Sequence, residues 1–243
     1  MLNLITVCTD VYPMYYARKI HRRFNEMTNF EVKNWCITDR PDQIKDLAEP
    51  IEPPFKGRGW WNKMKVYDSF YEGNALYLDI DNVLIRNFDD EINVALSALD
   101  NEKCKIACVS DAIGFHHNHF SSSMMVLKSG NMQKIWDDFE LEVQVSYENF
   151  EYEGGDQVYT GHRLKEWINA GYEIYWMDEF HRNLKLNLKY HLGEYVGKGW
   201  NQGGAWSFKT VLPNDCKIVD CGGEPKPTEL LHLPYIQRCW MEA

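Results

Sequence analysis

Two acids one residue apart close an apolar run at Tyr77-Leu78-Asp79-Ile80-Asp81-Asn82. On an extended backbone this spacing sends both carboxylates to one side. Paired carboxylate oxygens suit a hard cation such as Mg2+ or Mn2+, which completes its shell with phosphate and water. A cation held there can bridge a diphosphate and offset its charge as it leaves. The competing reading is a turn in which one Asp caps a helix and the other is solvated. The apolar residues just ahead, Asn74 to Leu78, read as a buried strand. They favour the metal, because open α/β sheets bind ligands beyond the carboxyl ends of such strands.

The elements that must position this pair follow from periodicity. Leu2 to Val7 is apolar and β-prone, Met14 to Glu26 is helical, and Phe30 to Ile37 is a second strand. Pro50, Pro53 and Pro54 break the chain ahead of a loop, Phe55-Lys56-Gly57-Arg58-Gly59. Trp61 to Tyr71 reads as helix. Lys105 to Val109 and Ser123 to Lys128 are further strands, and Asn131 to Val145 is an amphipathic helix. Gly154-Gly155-Asp156 opens another helix, Tyr172 to Met177 is a strand, and Lys217 to Val219 is a short strand near the end. Asp178 to Gly204 is mixed and unassigned. Strands alternating with helices predict an α/β protein whose sheet is largely parallel and covered on both faces. No internal repeat, low-complexity tract or linker interrupts the 243 residues, which read as one domain.

Composition narrows the function classes. Apolar residues are 44% and charged residues 26%, a globular balance that excludes disorder or coiled coil as the main architecture. The formal net charge of −10 makes the chain a poor general ligand for nucleic acid or anionic lipid, because it has no excess cation to release counterions. The seven cysteines include no C-x-x-C pair, so neither a zinc knuckle nor a disulfide framework is expected. They read as reduced thiols of a cytoplasmic protein. Met1 to Asp10 lacks the basic flank of a signal peptide, and no apolar run is long enough to span a bilayer. Peripheral contact with a lipid-linked partner stays open.

The motifs together are similar to a known family. Asp79-Ile80-Asp81 after a buried strand resembles the D-x-D motif of GT-A-fold glycosyltransferases, which use nucleotide-sugar donors. Gly59-Trp60-Trp61-Asn62-Lys63-Met64-Lys65 looks like the W-x-K segment that precedes it in the retaining, glycogenin/galactosyltransferase-like group. Val7-Cys8-Thr9-Asp10-Val11-Tyr12 resembles the first-strand nucleotide loop, Phe120-Ser121-Ser122-Ser123 the F-N-S segment, and Asp156-Gln157 the D-Q pair. Ser207-Phe208-Lys209 and then Lys217 to Pro227 resemble the closing S-Y-K and H-F-x-G-x-x-K-P segments. The matches run in the family's order from Val7 to Pro227. The resemblance implies a GT-A (nucleotide-diphospho-sugar transferase) fold, a Rossmann-like α/β/α sandwich with a central, mostly parallel mixed sheet. It implies a nucleotide-sugar half over about 1–130 and an acceptor half over about 131–243.

What it implies for the site is specific. Asp79 and Asp81 hold Mn2+ or Mg2+ on a nucleoside-diphosphate sugar, by family default a UDP-sugar. The family's third metal ligand is a His, and that position holds Asp220, again an oxygen donor. The Asn of F-N-S is Ser121 here. Lys63 neutralises donor phosphate or holds the donor sugar, in a catalytic as well as a binding role, and Lys226 sits on phosphate, aimed by its flanking Pro225 and Pro227. Cys8, Thr9 and Tyr12 face base and ribose, and Asp156 and Gln157 touch the transferred sugar and the acceptor hydroxyl. Transfer is expected with retention. Each position keeps a plainer alternative: Lys63 as an exposed helix lysine, Tyr12 packed on the sheet, Asp156 as an N-cap. Trp60 and Trp61 are lid or core. His116, His117 and His119 read as a solvated loop. Arg182, Lys185, Lys189 and Lys198 are either acceptor contacts or an exposed basic excursion.

Two other functions fit parts of the sequence. Leu78-Asp79-Ile80-Asp81-Asn82-Val83 also resembles the nucleophile motif of haloacid-dehalogenase phosphatases, with Asp137 and Asp138 as the downstream acids. The departures at Ser121 and Asp220 suit a binding module that keeps the nucleotide or glycan site without catalysis.

Overall fold

The computed structural model describes residues 1–9, 12–55, 59–110, 120–146, 155–177, 194–196, 205–207, 217–221 and 226–241. Among the residues named above, Asp10, Val11, Lys56 to Arg58, the three loop histidines, Gly154, the four basic residues of 178–204, Phe208, Lys209 and Gly222 to Pro225 lie outside them.

β1 (Leu2–Val7) leads into α1 (Tyr15–Met27), β2 (Val32–Ile37) and the short β3 (Glu49–Ile51). A 3₁₀ segment (Gly59–Tyr67) precedes β4 (Asn74–Leu78), which a tight turn joins to β5 (Asn82–Leu84). Then come α2 (Asp89–Leu99), β6 (Cys104–Ser110), β7 (Phe120–Lys128), α3 (Gln133–Ser146), α4 (Gly155–Asn169) and β8 (Glu173–Trp176). The short strands β9 (Glu194–Val196), β10 (Ala205–Ser207) and β11 (Ile218–Asp220) and the helix α5 (Pro234–Met241) complete the order.

Seven strands form one sheet in the order β3-β2-β1-β4-β7-β6-β8. All pairings are parallel except those of β7, which runs antiparallel to both β4 and β6. The period-two alternation of β-strands sorts neighbouring residues to opposite faces. Ile5, Ala75, Tyr77, Ile106 and Cys108 join one core with Trp61, Met64, Phe139 and Tyr159. Leu4, Leu76, Leu78, Ala107 and Val109 join another with Ile20, Phe24, Ile92 and Ala95. The 3₁₀ segment, α3 and α4 thus cover one face, and α1 and α2 the other. α1 presents Tyr16, Ala17, Ile20, His21 and Phe24 inward, the stripe expected of a surface helix. α2 opens on Asp89, Asp90 and Glu91, which suit its positive end. A third core closes over the carboxyl ends of β1 and β2 with α5. No helix among the described residues is long and apolar enough to cross a membrane.

Two expectations need correction, and some elements carry none. The segment expected as helix at Trp61 to Tyr71 is a 3₁₀ segment that starts earlier and ends at Tyr67. Its inward residues Trp61, Asn62, Lys63, Met64, Val66 and Tyr67 are nearly consecutive, so it lacks the one-sided pattern of an α-helix. Asp79 to Asn82 is not extended: Asn82 N–H donates to Asp79 O at 3.2 Å, a tight turn. Finally, β3, β5, α2 and α5 carry no assignment in the sequence reading. β3 and β5 have three residues each, too few to show a period.

Candidate active site

The site lies where β4 ends. Asp79 N–H donates to Ser123 O at 2.9 Å, and the Asn82 side-chain amide donates to the same carbonyl at 3.0 Å, tying the turn to β7. Beyond the turn, β5 pairs antiparallel with β11, in a register that sets Asp220 opposite Asn82. Cys221 N–H reaches Asp81 O at 3.3 Å. Residues distant in the chain therefore meet at the acidic turn.

Each acid of the turn is paired with a lysine. Lys63 Nζ lies 2.9 Å from Asp79 Oδ1 and 3.1 Å from Oδ2. Lys226 Nζ lies 2.7 Å from Asp81 Oδ2 and 5.5 Å from the centre of the Tyr12 ring. The Tyr77 hydroxyl donates a short bond to Asp79 Oδ1. The turn sends the two carboxylates to different partners, and both still line one cleft with Thr9, Tyr12, Trp60 and Lys63. Across Thr9, an adjoining cavity of about 580 Å3 opens between the carboxyl ends of β2 and β3 and Phe55.

Lys63 is buried, not the exposed helix lysine of the plainer reading. Its ammonium also donates to Ser122 Oγ at 3.0 Å and stands 3.7 Å from Asp156 Oδ2. Ser122 Oγ in turn donates to Asp156 Oδ2 at 3.0 Å. Burial alone would push the lysine pKa down, but Asp156, Asp79 and Asp81 outweigh it and hold the ammonium well above its usual value. Burial pushes the Asp156 carboxyl up, with Lys63 opposing. Burial and then the Asp79 charge push Tyr77 far up, so it stays a hydrogen-bond donor.

A bulge aims Ser122. Cys108 pairs with Met125 but the next residue, Val109, pairs with Ser121, so Ser122, Ser123 and Met124 are extra on β7. Such bulges re-aim side chains beside active sites. The Phe120-Ser121-Ser122-Ser123 segment was legible in the sequence, yet Ser122 itself was not singled out. Asn62 is a second such residue: it accepts from Phe55 N–H at 2.9 Å and its amide lies 3.4 Å from Thr9 Oγ1.

The remaining sequence-derived residues divide. Asp156 sits in the first turn of α4 with its carboxylate turned to Ser122 and Lys63. Gln157 follows it, its side-chain carbonyl 3.5 Å from Ser122 N. Cys8 does not line the cleft: it is buried in the third core, its thiol 3.6 Å from Tyr12 O, and burial raises its pKa to about 11. Arg40, not singled out in the sequence, donates to Tyr12 O at 2.7 Å and holds that loop. Trp61 stacks on Phe139 at 5.5 Å in the core, while Trp60 is 63% exposed at the cleft. Asp137 and Asp138 bond Gln133 and Lys134 one turn earlier in α3, not the acidic turn.

The donor set fits a hard divalent ion. No group of three or more His, Cys, Asp or Glu side chains suited to a metal gathers among the described residues. Two carboxylates do face one cleft, and Mg2+-like ions are held by one or two carboxylates with substrate phosphates completing the shell.

No protein-family profile and no curated protein sequence matches the chain. Its fold is similar to solved structures. The glycosyltransferase GlyE of Streptococcus pneumoniae TIGR4 aligns with a TM-score of 0.57 at 13% identity over 93% of this chain. The chain spans little more than half, 56%, of that GlyE chain. The galactosyltransferase LgtC, in complex with donor and acceptor sugar analogs, aligns at 0.57 and 10% identity over 98% of this chain and 94% of its own. An active-site mutant of LgtC aligns at 0.58 and 11% over 93% and 89%. The fold is thus the α/β, GT-A type shared by these enzymes, with its mixed, mostly parallel seven-stranded sheet.

Proposed function

We propose that this chain is a metal-dependent glycosyltransferase of the glycogenin/galactosyltransferase-like group. It moves a sugar from a nucleoside-diphosphate sugar, by resemblance a UDP-sugar, to a hydroxyl of a glycan or other acceptor, with retention. The observation that carries this reading is one juxtaposition at the end of β4: two lysine-paired carboxylates share a cleft, and Lys63 links one of them to the buried Asp156.

Asp79 and Asp81 would hold Mn2+ or Mg2+, with Asp220, opposite Asn82 in register, as third ligand. The ion supplies charge stabilisation to the departing diphosphate. Lys226 and Lys63 release their carboxylates and turn to phosphate oxygens. Thr9 and Tyr12 flank the nucleoside, which the 580 Å3 cavity can receive, and Cys8 shapes that loop from beneath. Asp156 and Gln157 face the transferred sugar and the acceptor hydroxyl, with Ser122 fixing Asp156. The anomeric carbon develops oxocarbenium character, as in glycoside chemistry generally. The fold of GlyE and LgtC, both glycosyltransferases by name, supports the reading. The phosphatase alternative lacks support, since Asp137 and Asp138 face away into their own helix turn.

The test is thermal stabilisation by a panel of nucleoside diphosphates and nucleotide sugars, each with Mn2+, Mg2+ or chelator. It compares wild type with Asp79→Ala/Asp81→Ala. Ligand at about 100 times Kd adds roughly 2.7 kcal/mol. The expected result is a metal-dependent shift with one nucleotide, lost in the double variant. No shift with any nucleotide would sink the reading. A shift without transfer to any acceptor or water would favour the binding module.

A further inference from the structure

Trp60 and Trp61 are neighbours with opposite fates. Trp61 is 8% exposed, and Trp60 is 63% exposed on the wall of the cleft. Lone exposed apolar residues are common, so exposure by itself says little. The seat of this ring says more. Gly155 has φ +70, and a Cβ built on it would stand 2.9 Å from the indole Nε1 and 3.1 Å from Cδ1. The first turn of α4 therefore abuts the ring at the one place where it carries no side chain. The indole is held against backbone while a large part of its surface stays open.

The two aromatic rings of the cleft have different neighbours. Tyr12 lies by Lys226 and Asp81, and Thr9, on the same cleft, also lines the large cavity. Trp60 lies by Gly155, whose neighbour Asp156 joins Ser122 and Lys63. With a diphosphate on the lysine–carboxylate pairs and its nucleoside toward Thr9, the sugar end points to Asp156 and Trp60. A pyranose has one face of C–H groups and an edge of hydroxyls. An indole face suits the first, because it is flat, apolar and electron-rich.

We propose that Trp60 is a stacking platform for the pyranose ring of a saccharide acceptor, lying beside Asp156. This rests on the transferase reading for the direction of the donor. It commits to a saccharide, in preference to a peptide or lipid hydroxyl, as the group that meets the donor.

The experiment is a fluorescence titration of the full chain with neutral saccharides such as lactose, maltose and cellobiose, in the presence of Mn2+ and UDP. It uses wild type, Trp60→Phe and Trp60→Ala, with thermal shifts by the nucleotide read on the same samples. The expected result is saccharide binding that weakens about tenfold or more in Trp60→Ala, survives largely in Trp60→Phe, and falls further than nucleotide affinity. Equal saccharide binding by Trp60→Ala overturns the platform. So does the lack of any saccharide binding by wild type, or a loss larger for nucleotide than for saccharide. A missing nucleotide shift in wild type overturns the transferase reading separately, while the saccharide titration still decides the platform.

Discussion

Lys63 and Asp79 form a close pair at the end of β4, the ammonium 2.9 Å from one carboxylate oxygen and 3.1 Å from the other. The lysine side chain is 11% exposed and the carboxylate 24%. This buried cation also serves Ser122 and Asp156, so Asp79 and the start of α4 share it, while Asp81 has Lys226. Removing water from such a cluster is costly, and the geometry must offset that cost. Under the proposed transferase function the cluster is a site kept charged for a ligand more than a device for stability.

Loss of this lysine is therefore expected to be severe. Lys63→Met keeps the aliphatic stem but leaves the buried Asp156 without its cation. Breaking a buried pair in this way costs about 3–5 kcal/mol. Urea denaturation of the variant should show a midpoint lowered to match. A loss below about 1 kcal/mol would mean that Asp156 takes up a proton in the fold at little cost.

Ser122 tests the link more gently. Its hydroxyl accepts from Lys63 and donates to Asp156, each at 3.0 Å. Ser122→Ala removes both bonds and should cost about 1–3 kcal/mol, because buried groups lose a partner. Ser122→Thr keeps the hydroxyl and should recover most of it. In transfer assays the alanine variant is expected to lose kcat more than donor affinity, since Asp156 loses its orientation and the acidic turn keeps its lysines. A variant with unchanged kcat would separate Ser122 from the chemistry.

The sequence showed the sheet more clearly than the site. β1 and β4 are mostly apolar, as strands covered on both faces tend to be, and both read as strands from composition. The acidic pair stood out because it closes such a run. Its turn did not, since a backbone bond from Asn82 to Asp79 leaves no periodic trace. Ser122 owes its role to a register jump opposite Cys108 and Val109, which depends on a partner strand. The burial of Lys63 comes from the packing of a 3₁₀ segment on β1, β2 and α4. Cys8 reads as a loop residue by position, yet the β1 alternation carries it into the core.

A pH dependence follows from α1. His21 is fully buried, with Nε2 2.9 Å from Thr6 Oγ1 and Nδ1 3.1 Å from Asn34 Oδ1. With its proton on Nδ1 the neutral ring donates to Asn34 and accepts from Thr6, so both nitrogens are satisfied. Burial pushes its pKa from 6.5 down to about 4. The unfolded chain binds a proton near pH 6.5 and the folded chain only near 4, so stability falls as the pH drops through this window. The full loss is about 3 kcal/mol. Urea midpoints measured from pH 7.5 to 4.5 should decline in wild type and decline less in His21→Gln. Parallel slopes would assign the acid sensitivity to other groups.

Lys226 is the complementary test of the acidic turn. Its ammonium pairs with Asp81 at 2.7 Å, with the two side chains 18% and 12% exposed, and it lies over Tyr12. Unlike Lys63 it sits on the closing segment, and its backbone N–H is separately fixed by Glu229 at 2.7 Å. Lys226→Ala should therefore leave the 3₁₀ turn that follows it, Pro227–Leu230, intact and disturb the fold less than Lys63→Met. If its ammonium moves to phosphate, the loss appears in binding: a charge-assisted hydrogen bond is worth about 1.5–3 kcal/mol, or roughly 10–150-fold in Kd. Calorimetric titration with nucleoside diphosphate and Mn2+ reads this directly. Lys226→Arg should retain part of the affinity. Wild-type affinity in Lys226→Ala would confine this lysine to pairing with Asp81, and phosphate recognition would then fall to Lys63.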